Sequence, residues 1–159
     1  MKPKTLFLKL ALVVIGIPIL ALCIFFVPKF ASFAAELYPN HSYIQFYAYF
    51  LFYGTTIPFY YALYQAYKLL KYIDQNEAFS SYSVIAIEKI KYSAVSISLL
   101  HIVGLPLFYL VAERDDAPGF IIIGMMFVFA SMVIAVFAAV LEKLLKEAIE
   151  IKIENDLTV

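Results

Sequence analysis

The chain has 159 residues, of which 64% are hydrophobic and 15% are charged. A mean hydropathy of +0.88 excludes an ordinary soluble globular domain. The formal net charge is zero and there is one cysteine, which argues against a nucleic-acid-binding surface and excludes an internal disulfide or a zinc cluster. With no repeats and no Gly/Ser linker, residues 1–159 are predicted to form a single transmembrane domain.

Four charge-free intervals divide the chain. They are residues 10–28, 37–67, 92–112 and 117–141, which contain 19, 31, 21 and 25 residues. About 20 apolar residues suffice for a helix to cross the hydrocarbon core, where helices and closed barrels satisfy the backbone. The runs lack strand alternation, so we predict an all-α integral membrane four-helix bundle. The predicted spans are at about 8–28, 44–68, 90–112 and 118–142, with a cytoplasmic tail at 143–159.

The basic residues are distributed unevenly about these spans. Ten fall on one side, namely Lys2, Lys4, Lys9, Lys68, Lys71, Lys89, Lys91, Lys143, Lys146 and Lys152. Two, Lys29 and Arg114, fall on the other side. Since basic residues accumulate on the cytoplasmic side, both termini and the connector between the second and third spans are predicted to be cytoplasmic.

The first span could be mistaken for a signal peptide, because Ser32-Phe33-Ala34 resembles a cleavage site. Its apolar run is longer than the roughly 7–15 residues of a typical signal-peptide core, and Lys29 interrupts it. We therefore expect no cleavage. Pro18 is expected to kink this helix and Pro28 to end it, because proline lacks a backbone N–H.

The second span has two patterned faces. One is a bulky stripe of Phe46, Phe50, Tyr53, Ile57, Tyr60, Tyr64 and Tyr67, and the other is a small face of Gly54, Pro58, Ala62 and Ala66. Small residues let helices approach closely in lipid, so this helix is expected to pack by its small face. Its tyrosines are expected to fill the bundle, to anchor it at the interface or to line a pocket. Thr55 or Thr56 is expected to compensate the carbonyl that Pro58 frees.

The connector, residues 68–91, is the longest polar interval before the tail. Asp74-Gln75-Asn76 favours a turn, and Ser80 suits the N-cap of the next helix. A well-capped helical hairpin explains most of these residues. The functional alternative is a docking surface for a cytoplasmic partner. Its candidate contacts are Asp74, Asn76, Glu77 and Phe79.

The third span places His101 near mid-depth. An ionisable group is costly there and should face the protein interior. One hypothesis is an intramembrane ligand or proton site formed by His101, Ser98, Tyr60 and Tyr64. The other is a neutral imidazole that is hydrogen-bonded to a tyrosine or serine of a neighbouring helix. His41 is predicted at the far interface, so a bis-histidine haem site is not expected, and no cofactor is predicted.

The loop at residues 113–119 is predicted to be an ordinary turn. Three carboxylates could suggest calcium, but Arg114 would oppose a cation and the ligand spacing of a known calcium loop is absent.

The fourth span carries Ser131, Ala135 and Ala139 at four-residue spacing, a seam that we predict to contact the second span. Beyond the span, an apolar stripe predicts a C-terminal amphipathic helix. The stripe consists of Leu141, Leu144, Leu145, Ala148 and Ile149.

Five segments of the chain resemble the YoaS-like family of small bacterial membrane proteins of unknown function. They are IPFYYALYQAYKLL, YIDQNEAFSSYSV, AERDDAPG, FASMVIAVFAAVL and ENDLTV. The resemblance covers most of the chain and implies four spans in a bacterial cell membrane, with no assigned activity. In that family the gene often lies beside one for a small helix-turn-helix regulator of the Cro/repressor type. This association implies a membrane partner for a transcription factor.

Three classes of function compete. The first is a regulatory protein that holds a cytoplasmic helix-turn-helix regulator, and the second is a small-solute binder or transporter subunit centred on His101. The second lacks the charged residues and paired broken helices of many transporters. The third, an enzyme, is not predicted, because no nucleophile–base pair, metal set or phosphate loop is present. No catalytic or metal site is therefore predicted. The predicted partners are the lipid bilayer and the regulator; a homo-oligomer is left open, and direct nucleic acid binding is not expected.

Overall fold

A computed structural model describes residues 5–158, and this part of the chain folds into four helical rods joined by short turns. In chain order the helices are α1 (Leu6–Ala21), a π-helical segment (Leu22–Phe26), α2 (Val27–Leu37), α3 (Tyr43–Asp74), α4 (Ser81–Arg114) and α5 (Gly119–Leu157). The first three run on continuously as the first rod. The short turns make consecutive rods antiparallel.

Three of the rods are long and apolar enough to cross a membrane. They are Leu6–Leu37, Ser81–Arg114 and Gly119–Leu157, with 32, 34 and 39 residues. α3 has 32 residues, a length of about 48 Å at 1.5 Å per residue. Its many tyrosines lower its mean hydropathy, because each ring carries a polar hydroxyl.

Rods that are consecutive in the sequence are also neighbours in space. α3 contacts α1, α2 and α4, while α5 packs along α4. In the described part of the chain the backbones of α3 and α5 do not approach each other. The predicted contact between the second and fourth spans is therefore wrong. The buried face of α5 follows Gly124, Val128, Ser131 and Ala138, whereas Ala139 is exposed.

The most tightly packed region lies towards the end of the bundle that carries the turns at residues 38–42 and 115–118, which we call the far end. Ile44 and Leu51 of α3 and Leu107 of α4 are almost inaccessible there. Phe30 of α2 packs its ring edge-on to Phe52 at 5.3 Å between centroids. The two halves of the first rod therefore differ: α1 has no buried residue, whereas α2 has four.

Close approach of α3 and α4 occurs at Gly104 and not at the predicted small face of α3. A Cβ atom at Gly104 would lie 2.5 Å from both Cδ atoms of Leu51, whereas one at Gly54 would meet nothing within 4 Å. The expectation that α3 packs by Gly54 is thus wrong. The residue that permits the close contact, Gly104, lies on α4.

The turn between α3 and α4 has the predicted form. α3 ends at Asp74, and Asn76 adopts the left-handed backbone with φ 61°. The Ser80 hydroxyl accepts a hydrogen bond from the Ser83 N–H at 3.4 Å, so the predicted N-cap is confirmed. We call the end of the bundle that carries this turn the connector end.

Pro28 does not end the first helix, contrary to the prediction. Instead the helix widens to π geometry from Leu22 to Phe26 and continues to Leu37. The Val27 N–H bonds to the Leu22 carbonyl, five residues back. The Cys23 carbonyl would need the N–H of residue 28 in this geometry, and proline has none. The Tyr53 hydroxyl donates to that carbonyl from α3 at 3.0 Å.

Other tyrosine hydroxyls bond to backbone near prolines in the same way. Tyr60 donates to the Gly16 carbonyl at 2.6 Å, two residues before Pro18. Tyr47 donates to the Val103 carbonyl, three residues before Pro106. Proline disturbs the helical ladder around it, and side chains of neighbouring helices can satisfy carbonyls there. These tyrosine hydroxyls of α3 therefore provide hydrogen bonds to backbone carbonyls of the neighbouring helices.

The two threonines beside Pro58 do not act as expected. Pro58 frees the carbonyl four residues earlier, that of Gly54. Both threonine hydroxyls donate instead to the Phe52 carbonyl, Thr55 at 3.0 Å and Thr56 at 2.8 Å. This arrangement uses their only hydrogens and fixes the orientation of both side chains.

Candidate functional site

A cavity of about 260 Å³ lies beside the π-helical segment, and all four rods contribute to its lining. The first rod contributes Cys23, α3 contributes Thr55 and Thr56, α4 contributes His101, and α5 contributes Phe127. The rest of the lining is aliphatic or aromatic. An apolar cavity with a few polar groups is the usual form of a small-molecule site.

The hydroxyl and thiol hydrogens at this cavity are used within the protein. Thr55 and Thr56 donate theirs to the Phe52 carbonyl. The Cys23 sulfur lies 3.2 Å from the Thr56 oxygen, and Thr56 has no second hydrogen to give. The Cys23 S–H is therefore the donor in that contact. Polar atoms contribute very little to the surface of the cavity.

His101 is the least satisfied polar residue of the cavity. It is only 6% exposed, and its Nδ1 atom is buried without a hydrogen-bond partner among the described residues. The ring stacks on Phe127 with centroids 5.1 Å apart. Nδ1 thus lacks the tyrosine or serine partner that one of the two sequence hypotheses expects. Buried polar atoms are nearly always paired, so such an atom asks for an explanation.

The other candidate residues of the intramembrane site lie elsewhere. Ser98 is buried on α4, three residues before His101. Tyr60 and Tyr64 line a separate groove of about 540 Å³ between α1 and α3. The Tyr60 hydroxyl is engaged by the Gly16 carbonyl, and Tyr64 is exposed. The structure therefore separates the residues of the predicted intramembrane site: His101 lines the cavity, whereas Tyr60 and Tyr64 line the groove. Successive residues of a helix point about 100° apart, so residues of α3 that are close in sequence can face different neighbours.

Asp74, a candidate docking residue, points into the bundle. It is 5% exposed, and both carboxylate oxygens lie 2.7 Å from the Thr5 hydroxyl. Lys9 Nζ bonds to one of these oxygens at 2.7 Å. The carboxylate therefore ties the start of the first rod to the end of α3. It is committed to this contact and not presented as a docking surface, which corrects its assignment.

The remaining docking candidates are on the surface of the connector. Asn76 and Glu77 are exposed, and Phe79 is 52% exposed. The Glu77 carbonyl accepts from the hydroxyls of Ser80 and Ser83 at 2.6 and 3.1 Å. These bonds hold the connector backbone in place, so Glu77 and Phe79 are displayed from an ordered turn.

A second ion pair at the connector end joins α4 to α5. Lys91 Nζ bonds to Glu142 Oε1 at 2.7 Å, and Glu142 is buried. Lys146, which lies four residues after Glu142 on the same helix, is more distant at 3.9 Å from Oε2. The two interhelical ion pairs and the capped turn make this end of the bundle well defined.

Sequence reasoning gave no site role to Cys23, Thr55, Thr56 or Phe127. The signal that could have found the first three is their position near prolines, since Cys23 precedes Pro28 by five residues. Distorted turns expose backbone and side chains to a cavity, and π-helical segments recur at functional sites. Phe127 carries no comparable signal.

The comparison with known proteins supports a membrane role. Residues 29–159 match a family described as "Protein of unknown function (DUF2975)". The chain belongs to this family. It is also similar to the "Uncharacterized membrane protein YoaS" of Bacillus subtilis (strain 168), with 66% identity over 156 residues that cover 98% of each chain. The resemblance to the YoaS-like family is thereby confirmed, and the chain is a membrane protein. No solved structure matches it.

The DUF2975 match includes most of the cavity. Thr55, Thr56, His101 and Phe127 fall within residues 29–159, while Cys23 and the π-helical segment precede them. The similarity to YoaS extends over nearly the whole chain, so it includes this segment. Neither the DUF2975 description nor the YoaS name gives an activity.

Proposed function

We propose that this DUF2975 protein is a membrane-embedded receptor that binds a small apolar solute in the cavity beside His101. The proposal is for a regulatory binding protein and not for an enzyme. The observation that carries it is a largely apolar cavity to which all four rods contribute. One of its lining residues, His101, has a buried ring nitrogen with no hydrogen-bond partner among the described residues. A site built from every rod can report occupancy through their relative positions.

The size of the cavity supports a small occupant. A cavity of about 150 Å³ lined by aliphatic and aromatic side chains binds benzene in another protein. The volume here is about 260 Å³, which by the same scale suits a molecule of roughly ten non-hydrogen atoms. Such solutes partition into the bilayer and could reach the cavity from it.

The single cysteine offers a direct test, because Cys23 lines the cavity and is buried. Purified protein in lipid nanodiscs is treated with N-ethylmaleimide, with and without naphthalene, a probe of suitable size. We expect naphthalene to slow modification of Cys23 several-fold in the wild type. In Ile97→Phe, which adds bulk to the cavity lining, naphthalene should have little effect.

Two controls separate binding from a general effect on the bilayer. Ile102→Phe places the same bulk on an exposed position of α4 and should keep the naphthalene effect. A Cys23→Ser, Ala139→Cys variant places the thiol on an exposed position of α5 and should show no protection. Equal rates at Cys23 with and without naphthalene would refute the receptor proposal.

We also propose that all four rods span the membrane, with both termini in the cytoplasm. α3 is long enough, and residues 37–67 contain no charge. The lysines of both interhelical ion pairs, Lys9 and Lys91, lie at the connector end, which is the end that the positive-inside rule assigns to the cytoplasm.

The test of this topology uses single cysteines in a Cys23→Ser background. Ser81→Cys and Asp115→Cys lie at exposed positions at opposite ends of α4. A membrane-impermeant thiol reagent applied to intact cells should label only Asp115→Cys. Labelling of Ser81→Cys from outside would overturn the orientation, and labelling of both before lysis would contradict the number of spans.

A second candidate function is the docking of a small helix-turn-helix regulator on the connector. The favouring observation is the exposed ring of Phe79 beside Glu77, which offers an apolar anchor next to a negative charge. A DNA-binding domain presents a basic face, so acidic residues could compete with DNA for it. Asp74 is left out of this surface because it is buried.

Docking is tested by co-purification of a neighbouring regulator with Glu77→Lys, Phe79→Ala protein. We expect the double variant to lose the regulator at an unchanged membrane level. Lys143→Ala, Lys146→Ala protein, which changes charge on α5, should retain it. Retention of the regulator by the connector variant would eliminate this surface as the docking site.

A further inference from the structure

We propose that the groove between α1 and α3 binds one acyl chain of an anionic phospholipid, whose phosphate contacts Lys68 and Lys71. This groove of about 540 Å³ shares no lining residue with the cavity beside His101. The lipid site is therefore separate from the solute site, and it goes beyond the receptor function.

The groove has the length and the lining of an acyl-chain site. Its α1 wall runs from Leu6 to Leu20, a distance of about 21 Å at 1.5 Å per residue. One leaflet of the hydrocarbon core is about 15 Å deep, half of the whole core, so the groove is long enough to follow a chain through that leaflet. Its surface is almost entirely apolar, which suits hydrocarbon.

The groove is open to the surroundings of the bundle and not closed by protein. α1 has no buried residue, and Gly16 contributes no side chain to the wall. The Tyr60 hydroxyl bonds to the Gly16 carbonyl at 2.6 Å and so joins the two walls at that point. Tyr64 and Tyr67 of the α3 wall are exposed. Since the first rod is long and apolar enough to cross a membrane, the molecules that meet this open side are lipids.

Basic side chains lie at the connector end of the groove. Lys68 Nζ is 5.6 Å from the centroid of the Tyr64 ring, which lines the groove. Lys71 is exposed and follows Tyr67 by four residues, so it continues the same face of α3. Neither lysine forms a salt bridge with a carboxylate among residues 5–158.

Lys9, the third lysine at this end, is already neutralised. Its Nζ bonds to Asp74 at 2.7 Å and lies 5.5 Å from the centroid of the Tyr67 ring. The charge that remains for a ligand is therefore that of Lys68 and Lys71. A lysine near an anionic lipid surface contributes about 5-fold in affinity. A zwitterionic headgroup carries no net charge and gains less.

The position of the groove brings these two features together in one ligand. The groove begins at Leu6 and Lys9, the start of the first rod, which is where lipid headgroups meet an apolar rod that crosses the membrane. A phospholipid has its phosphate at this level and its chain directed into the bilayer. Free phosphate would use the lysines but leave the apolar groove without an occupant.

The first test compares palmitoyl-oleoyl phosphatidylglycerol with the phosphatidylcholine that has the same chains. Each lipid is titrated into the full-length protein in detergent, and bound lipid is measured by native mass spectrometry. We expect the phosphatidylglycerol to bind roughly 5–30-fold more tightly. The preference should disappear in Lys68→Gln, Lys71→Gln protein. Lys143→Gln, Lys152→Gln protein, which loses the same charge from exposed positions of α5, should keep it.

The second test concerns the groove itself. Val13 and Val14 are neighbours and are both exposed, but only Val13 lines the groove. Val13→Trp should weaken phosphatidylglycerol binding at least 5-fold, whereas Val14→Trp should leave it unchanged. Thermal melting of each variant shows whether it is folded. Glycerophosphoglycerol, which has the headgroup without the chains, should not compete with the lipid.

A third measurement locates the lipid in the unmodified protein. Phosphatidylglycerol with a photoreactive acyl chain should attach to residues 10–17 of α1 and 60–67 of α3. Attachment only to α5 would overturn the proposal, as would equal affinity of the wild type for the two lipids or full competition by glycerophosphoglycerol. A wild-type dimer that is lost in Val13→Trp protein, with no lipid preference, would assign the groove to a second copy of the chain and would also overturn it.

Discussion

The close contact between α3 and α4 at Gly104 gives a stringent test of the fold. A Cβ atom at Gly104 of α4 would lie 2.5 Å from both Cδ atoms of Leu51 and 3.0 Å from its Cγ. Leu51 is 1% exposed, so its side chain cannot move aside into solvent. We therefore expect Gly104→Ala to push α3 and α4 apart and to destabilise the protein.

The magnitude follows from two opposing terms. Overpacking a dense core costs about 1–3 kcal/mol, whereas replacing glycine by alanine within a helix returns up to about 1 kcal/mol. Gly54→Ala on α3 has only the second term, because nothing lies within 4 Å of its Cβ position. The difference in unfolding free energy between the two variants should thus be about 1–3 kcal/mol.

The assay can use the buried Cys23 as its reporter. A dye that fluoresces on reaction with a thiol follows thermal unfolding in detergent, since the only cysteine reacts much faster once the bundle opens than in the folded protein. For a chain of this length about 1 kcal/mol corresponds to roughly 2–4 °C. Gly104→Ala should melt several degrees below Gly54→Ala. Gly124→Ala, whose Cβ would lie 3.0 Å from Phe108, should fall between them.

A double-mutant cycle identifies the cause. Adding Leu51→Ala to Gly104→Ala removes the colliding atoms, so the two changes together should cost less than the sum of the single changes. If Gly104→Ala melts at or above Gly54→Ala, the stated helix contact is wrong. Strict additivity of Leu51→Ala and Gly104→Ala would also contradict it.

Three further substitutions test the interhelical bonds, each by the same thermal assay. Asp74→Asn should lower the free energy of unfolding by about 3 kcal/mol because it leaves Lys9 without its partner. Glu77→Gln at the exposed connector should change the stability little. Equal effects of the two substitutions would contradict the buried ion pair of Asp74. Lys91→Met should also destabilise the protein, because it removes the closer of the two lysines that pair with buried Glu142. Lys89→Met should have little effect, and an equally small effect of Lys91→Met would show that the Lys91–Glu142 pair is dispensable. Tyr53→Phe should lower the free energy of unfolding by about 1 kcal/mol, because it removes the hydrogen bond to the Cys23 carbonyl. Tyr109→Phe, at an exposed position, should have a smaller effect. A larger effect at Tyr109 would contradict the stabilising role of the Tyr53 hydrogen bond.

Local signals in the sequence predict the connector well. Asn76 tolerates left-handed backbone and Ser80 accepts from a first-turn N–H, and both properties belong to the residue and its immediate neighbours. The helical character of the chain follows in the same way from apolar run length.

Contacts between residues that are far apart in the sequence are harder to predict from it. Thr5 and Asp74 are 69 residues apart, and no local pattern indicates that a turn carboxylate will be buried by the start of the first rod. The π-helical segment was also missed, because proline is usually read as the end of a helix. Tyr53 of α3 supplies the missing donor to Cys23, and that compensation depends on how the rods pack.

Of the residues that line the candidate cavity, the sequence predicts His101 alone as a site residue. His101 was chosen because an ionisable side chain at mid-depth should face the interior, and it is buried. Tyr60 shares a helix with Thr55 and Thr56 but faces the groove beside α1. Which of these side chains meets His101 depends on the rotation of α3, which a mixed tyrosine and threonine pattern does not determine.

The location of a bound solute tests the central claim most directly. Crystals of the protein soaked with 2-bromonaphthalene would reveal the probe by the anomalous scattering of bromine. The receptor account predicts a bromine peak inside the cavity bounded by Cys23, Thr55 and His101. Bromine found only in the groove beside Tyr64 or on exposed apolar surface, with the cavity closed by side chains, would contradict it.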